Sequence, residues 1–189
     1  MSEDRAFVIS KLDPISAWND WTDLEGRMPA AVLAPLVARE DGWRVILTLR
    51  PTALRRHAGQ IAFPGGRSDP GETPWGTALR EAHEEIGLEP SMVEVAGLLR
   101  PQQAGLDFTV TPVVGFVDPA FVPTANPEEV EEVFEVPFAF LMDPANHKTH
   151  VWTTPDGVER RGHAMPYEDR FIWGATAAML KQLHARLYD

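Results

Sequence analysis

The chain contains no cysteine, which excludes disulfides, thiolate zinc sites and a cysteine nucleophile together. Cations are scarce: 17 Lys and Arg stand against 28 Asp and Glu, for a formal net charge of −11 and a pI near 4.9. A phosphate backbone is held by clustered Lys and Arg, so no nucleic-acid partner is expected, and a decapping role is excluded with it. A small anionic substrate remains compatible if cations screen its site. Long hydrophobic runs are missing too. The longest, Ala30 to Ala38, is broken by Pro35 and falls far short of the roughly 20 residues that span a bilayer, so no membrane partner is expected. The opening MSEDRAFVISKLD carries acids where a secretion signal carries bases, which makes secretion unexpected and a cytoplasmic location the expectation.

What is present suits one domain without repeats or low-complexity linkers. Residues 1–28 read as an N-terminal extension with a short helix around Ile15 to Leu24, and residues 29–189 as the domain. AAVLAPLVARE and WRVILTLR flank the turn Glu40-Asp41-Gly42, predicting a hairpin of two strands. Thr73 as N-cap, Pro74 at the first helical position and Gly87 as terminator predict a helix over 74–86. MVEVAGLLR and FTVTPVVGFV read as strands, and FEVPFAFL as more strand and a short helix. HKTHVWTT and RRGHAMPY flank the turn Pro155-Asp156-Gly157, and a helix from about Gly174 to Leu187 closes the chain. The order implies an α/β (α+β) fold, a mixed sheet flanked by helices. Phe171, Ile172 and Trp173 read as core, whereas Phe63 and Phe108 are placed to line a pocket.

Within LREAHEEIG, Glu81, Glu84 and Glu85 fall at i, i+3 and i+4, so a helix presents them on one face. Three carboxylates so close repel one another unless something positive sits among them, and an oxygen-rich cluster suits a hard cation such as Mg²⁺ or Mn²⁺. An arbitrary string of this kind is more often a solvated acidic face; its surroundings decide. His83 points about 100° away from Glu84 on the helical wheel. Gly65 and Gly66 allow the backbone close to a ligand, so that a carbonyl completes a coordination shell. Glu72 and Arg80 are a pair suited to locking the glycine loop onto the helix.

The stretch Gly66 to Leu88, GRSDPGETPWGTALREAHEEIGL, resembles the Nudix box, G-x5-E-x7-R-E-U-x-E-E-x-G-U with U apolar. Gly66, Glu72, Arg80, Glu81, Glu84, Glu85 and Gly87 meet every fixed letter, with Ala82 and Leu88 at the apolar positions. Seven fixed letters arise by chance at about one in a billion per position, so the match is specific. The resemblance implies a Nudix-type mixed sheet sandwiched between helices. It implies hydrolysis of a nucleoside diphosphate linked to another group, with a divalent metal, Mg²⁺ or Mn²⁺, on Glu81, Glu84, Glu85 and the Gly66 carbonyl. Glu72, Arg80, Gly65 and Gly87 would be structural. Of a second acidic group, Glu128, Glu129, Glu131 and Glu132, one member would reach the site as extra ligand or general base, and Glu129 is the choice.

Upstream, ILTLRPTALRRHAGQIAFPGG, Ile46 to Gly66, resembles the signature of the coenzyme A pyrophosphatase branch, L-L-T-x-R-[SA]-x3-R-x3-G-x3-F-P-G-G. Thr48, Arg50, Arg55, Gly59, Phe63, Pro64, Gly65 and Gly66 match, while Ile46 and Pro51 depart from it. Arg50, Arg55, Arg56 and His57 lie within eight residues, a local exception in an acidic chain that suits phosphate, with Gln60 beside them. A purely structural reading has Arg50 and Arg55 pairing with acids to shape the loop. The branch implies coenzyme A or its thioesters as substrate, cut to 3′,5′-ADP and 4′-phosphopantetheine or its acyl form. ADP-ribose, NADH or another nucleoside diphosphate derivative is the alternative. From another class, an inactive nucleotide sensor would be expected to lose the metal carboxylates, and all three are present. Both a monomer and a homodimer are compatible with the sequence.

Overall fold

A computed structural model describes residues 4–18, 26–52, 59–105, 107–154 and 157–189. The centre of the fold is β1 (Met28–Arg39), which is antiparallel to β2 (Gly42–Leu49) and parallel to β7 (Phe108–Val117). Ala30 to Val37 is almost continuously buried, as expected of a strand covered on both faces. Pro35, which lacks a ladder donor, sits where β1 changes antiparallel neighbours. Ala30, Ala31 and Val32 pair with β4 (Gly65–Arg67), and Leu36 to Arg39 pair with β2. Strands β3 (Ile61–Ala62) and β8 (Glu132–Pro137) pair with β2, and β5 (Val93–Leu98) and β6 (Gln102–Ala104) with β7.

One face is covered by α2 (Pro74–Ile86), bounded as predicted. Thr73 Oγ1 accepts from Gly76 N at 3.1 Å, and Gly87 closes the helix in the left-handed region at φ 69°. Its buried Ala78, Ala82 and Ile86 meet Ala31, Leu33 and Val113 of the sheet. The opposite face is covered by α4 (Gly174–Tyr188) through Ala177, Leu180 and Leu183, and by α1 (Arg5–Lys11) through Val8. The result is a mixed sheet between helices, with the core on both faces.

The two strands predicted near the C-terminus are present as β9 (Lys148–Thr153) and β10 (Glu159–Tyr167), extended by β11 (Arg170–Trp173) into a separate three-stranded sheet, while Pro155 and Asp156 of the predicted turn lie outside the described residues. FEVPFAFL gives β8 and α3 (Phe138–Leu141). The expected helix at Ile15 to Leu24 is instead a three-residue turn of 3₁₀ helix, Ile15–Ala17; residues 19–25 lie outside those described. The first helix lies earlier, at α1, whose Phe7 N donates to Asp4 Oδ1 at 2.7 Å. Its Val8 and the following Leu12 are buried, and Arg186 reaches Asp13 at 2.6 Å. No helix among the described residues is long and apolar enough to cross a membrane.

Candidate active site

Strand β4 pairs with β1, and α2 packs on it with Glu81 against Gly66 and Glu85 on Gly65 N, so the glycine turn and the acidic helix face each other. Each glycine is required sterically. A Cβ on Gly66 would stand 2.5 Å from Glu81 Oε2, and one on Gly65, whose φ is 156°, would stand 2.4 Å from the Ala31 carbonyl.

The three glutamates share this face but not one depth. Side-chain exposure is 52% at Glu84, 14% at Glu81 and 4% at Glu85. Arg80 Nη1 donates to both Glu81 Oε1, at 2.8 Å, and Glu84 Oε2, at 3.1 Å, while its Nε and Nη2 donate to the two Glu72 oxygens at 2.8 and 3.0 Å. Nη2 also reaches the Arg67 carbonyl at 3.0 Å, and Glu72 Oε2 accepts from Asp69 N and from Thr77 Oγ1, each at 2.9 Å. The Glu72–Arg80 pair suggested by the sequence is therefore made, and it ties the glycine loop to the helix. Arg80 holds the Glu72 carboxyl down at about 2, and Arg80 is itself raised by the same bond.

Glu85 has less support. Gly65 N donates to its Oε2 at 3.1 Å, and Arg50 Nη1 lies 3.7 Å from its Oε1. Burial pushes its carboxyl up to about 7 against these two, with the charges of Glu81 and Glu129 adding to the rise. Glu81 is also raised, by burial first, with Arg80 opposing and Glu84 and Glu129 contributing. Glu129 acts from a loop fastened to the C-terminal end of α2, where Thr124 N donates to the Ile86 carbonyl at 2.9 Å and Asn126 N to the Glu85 carbonyl at 2.8 Å. Among the described residues no three acidic or histidine side chains converge on one point, because Arg80 draws Glu81 and Glu84 one way and Gly65 draws Glu85 another. The donor chemistry nevertheless fits a hard divalent cation: carboxylates on one helix face, the deepest of them raised first by burial with only Gly65 N and a distant Arg50 opposing, beside a glycine turn that brings backbone close.

A cleft of about 750 Å³ opens beside the turn, within the range of small-molecule sites. Arg50, Gln60, Gly65 and Gly66 line it, and so do Phe63 and Phe108, as the sequence suggested. Arg50 Nε is buried without a hydrogen-bond partner among the described residues. Arg50 and the Gln60–Gly59 backbone close a neck, with Arg50 N donating to Gln60 O at 3.0 Å and Gly59 N to Arg50 O at 3.1 Å. Arg55, Arg56 and His57 lie outside the described residues. His83 turns from the site and meets Glu89 at 3.0 Å.

The reading of 171–173 as core needs correction at two of three positions. Ile172 is fully buried, but Phe171 is 43% exposed and Trp173 is part of the cleft wall. Trp152, not singled out in the sequence, lines the cleft beside it. Strand alternation in HVWTT, which sets His150 and Trp152 on one face, was the available signal.

Residues 27–158 match the family model of the NUDIX domain, about 70% of the chain. The chain belongs to the Nudix family. It is 40% identical over 167 residues to an uncharacterized Nudix hydrolase NudL of Enterobacter sp. (strain 638), covering 85% of this chain and 83% of that one. It is 42% identical over 157 residues to the protein of the same name in Yersinia enterocolitica, covering 82% and 78%. The Nudix hydrolase RenU of M. smegmatis superposes with a TM-score of 0.53 at 26% identity, covering 68% of this chain and 79% of that one. The protein is thus a Nudix pyrophosphohydrolase, an enzyme of a family that acts on small nucleotide derivatives with divalent metal ions such as Mg²⁺.

Proposed function

We propose that this Nudix hydrolase cuts the diphosphate bridge of coenzyme A or its thioesters to 3′,5′-ADP and 4′-phosphopantetheine or its acyl form. The observation that carries the reading is the segment Ile46 to Gly66. Its signature residues Thr48, Arg50, Arg55, Gly59, Phe63, Pro64, Gly65 and Gly66 are in place, with departures at Ile46 and Pro51, and Arg50, Gln60, Phe63, Gly65 and Gly66 from the segment line the cleft. Coenzyme A carries a 3′-phosphate besides its diphosphate, and Arg50, Arg55, Arg56 and His57 supply charge for both in a chain otherwise poor in cations.

Glu81, Glu84, Glu85 and the Gly66 carbonyl would hold the cation, Mg²⁺ or in its place Mn²⁺, which when bound neutralises the bridge and lowers the pKa of a coordinated water. The protein's own groups do the rest. Arg50, which lines the cleft, donates its guanidinium to a phosphate oxygen. Glu129 takes the proton from the attacking water as its oxygen bonds to phosphorus. The bridging P–O bond breaks, its electron pair leaves on the departing phosphate, and no covalent enzyme intermediate forms. Glu72 and Arg80 hold the turn against α2 throughout.

Incubating the protein with Mg²⁺ and coenzyme A, acetyl-coenzyme A, ADP-ribose or NADH at mildly alkaline pH, with products read by mass, tests this directly. The reading expects 3′,5′-ADP from the first two at higher kcat/KM than any product from the others. Arg55→Ala should lower coenzyme A turnover far more than ADP-ribose turnover; equal losses on both would remove Arg55 from the 3′-phosphate. No turnover of any compound would return the protein to the sensor reading.

A further inference from the structure

The three-stranded sheet has one face packed on α4, through Met165 and Ile172, both fully buried. Its other face carries an aromatic cluster. In register, His150 stands opposite Gly162, Trp152 opposite Arg160 and Trp173 opposite Ala164, so these side chains project from the same side. The His150 and Trp152 rings are stacked, 5.7 Å apart at 15°. Trp173 stands edge-on to both, 5.4 Å from His150 and 5.7 Å from Trp152, each at 75°. The two indoles thus form a corner, and both line the same cleft as Gly65 and Gly66.

The corner is held in place. A Cβ on Gly162 would stand 3.0 Å from the Trp152 ring, so the indole lies close across β10 and a side chain at 162 would press it out of place. Trp173 leads directly into α4, whose Thr176 Oγ1 donates to the Ile61 carbonyl at 3.0 Å and fastens this wall to β3.

We propose that Trp152 and Trp173 seat the nucleobase of the substrate, the base stacking on one indole and meeting the edge of the other. The inference rests on the reading of the cleft as the place where the diphosphate is cut. The diphosphate belongs at the glycine turn, beside the acids and Arg50, which leaves the tryptophan wall for one of the two groups the bridge joins. Fixed aromatic planes at right angles suit a flat heteroaromatic ring, because stacked and edge-on contacts add stabilisation beyond the area they bury. An aliphatic amide chain such as the pantetheine arm gains nothing from ring orientation, and the aliphatic lining at Val110 and Met179 offers it an apolar surface.

The test is equilibrium binding by calorimetry, on the full chain with Mg²⁺, of AMP and ribose 5-phosphate, which differ only in the base, together with 3′,5′-ADP and 4′-phosphopantetheine. Wild-type protein should bind AMP more tightly than ribose 5-phosphate. Trp152→Ala and Trp173→Ala should each shrink that difference about 10-fold, in line with the loss of one base-stacking partner, and leave 4′-phosphopantetheine unchanged. Trp152→Phe should restore most of it. Gly162→Val should weaken AMP while keeping both indoles, and it carries the test if an alanine variant does not fold. Val151→Ala, on the opposite face of β9, should match wild type. A wild-type protein that does not distinguish AMP from ribose 5-phosphate, or tryptophan variants that weaken 4′-phosphopantetheine as much as AMP, would overturn the proposal. Tight AMP with no binding of 3′,5′-ADP would instead remove coenzyme A as substrate and leave the corner standing.

Discussion

Glu81, Glu84 and Glu85 on α2 and Glu128, Glu129, Glu131 and Glu132 on the approach to β8 are both dense runs of carboxylate, yet the protein satisfies them in opposite ways. The second run is dispersed. Glu132 meets Arg170 at 2.5 Å, Glu131 accepts from Thr52 N at 3.4 Å, and Glu128 is exposed. Only Glu129 sends its charge toward α2, where it raises both Glu81 and Glu85. The α2 run shares one arginine between its two outer members and leaves the deepest with a cation only at 3.7 Å. Acidity alone therefore does not mark a site. What marks it is a shortage of positive charge that grows with burial, since a buried carboxylate with incomplete support is costly.

The largest effect that would break this contrast is at its deepest member. Glu85→Gln should lower turnover by about 10³-fold, the scale of losing several kcal/mol of charge stabilisation, measured as kcat with Mg²⁺ on whichever substrate the product panel identifies. The same substitution sharpens the contrast in stability. Because burial lifts the Glu85 carboxyl to about 7, well above its unfolded value, the folded chain keeps a proton that the unfolded chain releases. In EDTA, stability from this group is complete below about pH 4.5 and is lost as pH rises toward 7, on the order of 3 kcal/mol. Thermal melts across that window should show the decline in wild type and a flatter profile in Glu85→Gln.

Glu129→Gln comes next, with kcat reduced about 10²-fold at unchanged fold if it takes the proton from water. Glu72 has the opposite sign to Glu85. Held down at about 2 by Arg80, it stabilises the fold above about pH 4.5 and loses that contribution as pH falls toward 2. Glu72→Gln should lower Tm at neutral pH, by about 1–2 kcal/mol of stability, and flatten the acid limb. Glu128→Gln, the smallest, should leave kcat and Tm at wild-type values; a loss like that of Glu129→Gln would erase the distinction between the two.

Where local chemistry decides structure, the sequence was legible. Thr73, Pro74 and Gly87 bound α2 because capping and a left-handed terminator are local requirements, and the Glu40–Gly42 turn joins β1 to β2 for the same reason. Strands β3 and β4, of two and three residues, are too short to show a period and exist because β1 and β2 offer edges. Helix α1 was missed because its single buried residue, Val8, makes no repeating pattern. In the site, the spacing of the trio and the Glu72–Arg80 pair could be read, but the burial gradient could not, since it depends on how α2 lies over β4. By residue type Trp173 reads as core together with Ile172. The two point to opposite faces of β11, and only the placement of the cleft shows that one of those faces is open.

The central claim, that the carboxylates of α2 hold a divalent cation, is tested most directly by calorimetric titration of Mn²⁺ into wild-type protein, Glu85→Gln and Glu128→Gln at pH 8. The account predicts saturable binding in wild type and Glu128→Gln, and its loss or a weakening of at least about 10-fold in Glu85→Gln. Equal Mn²⁺ affinity in all three proteins would contradict it.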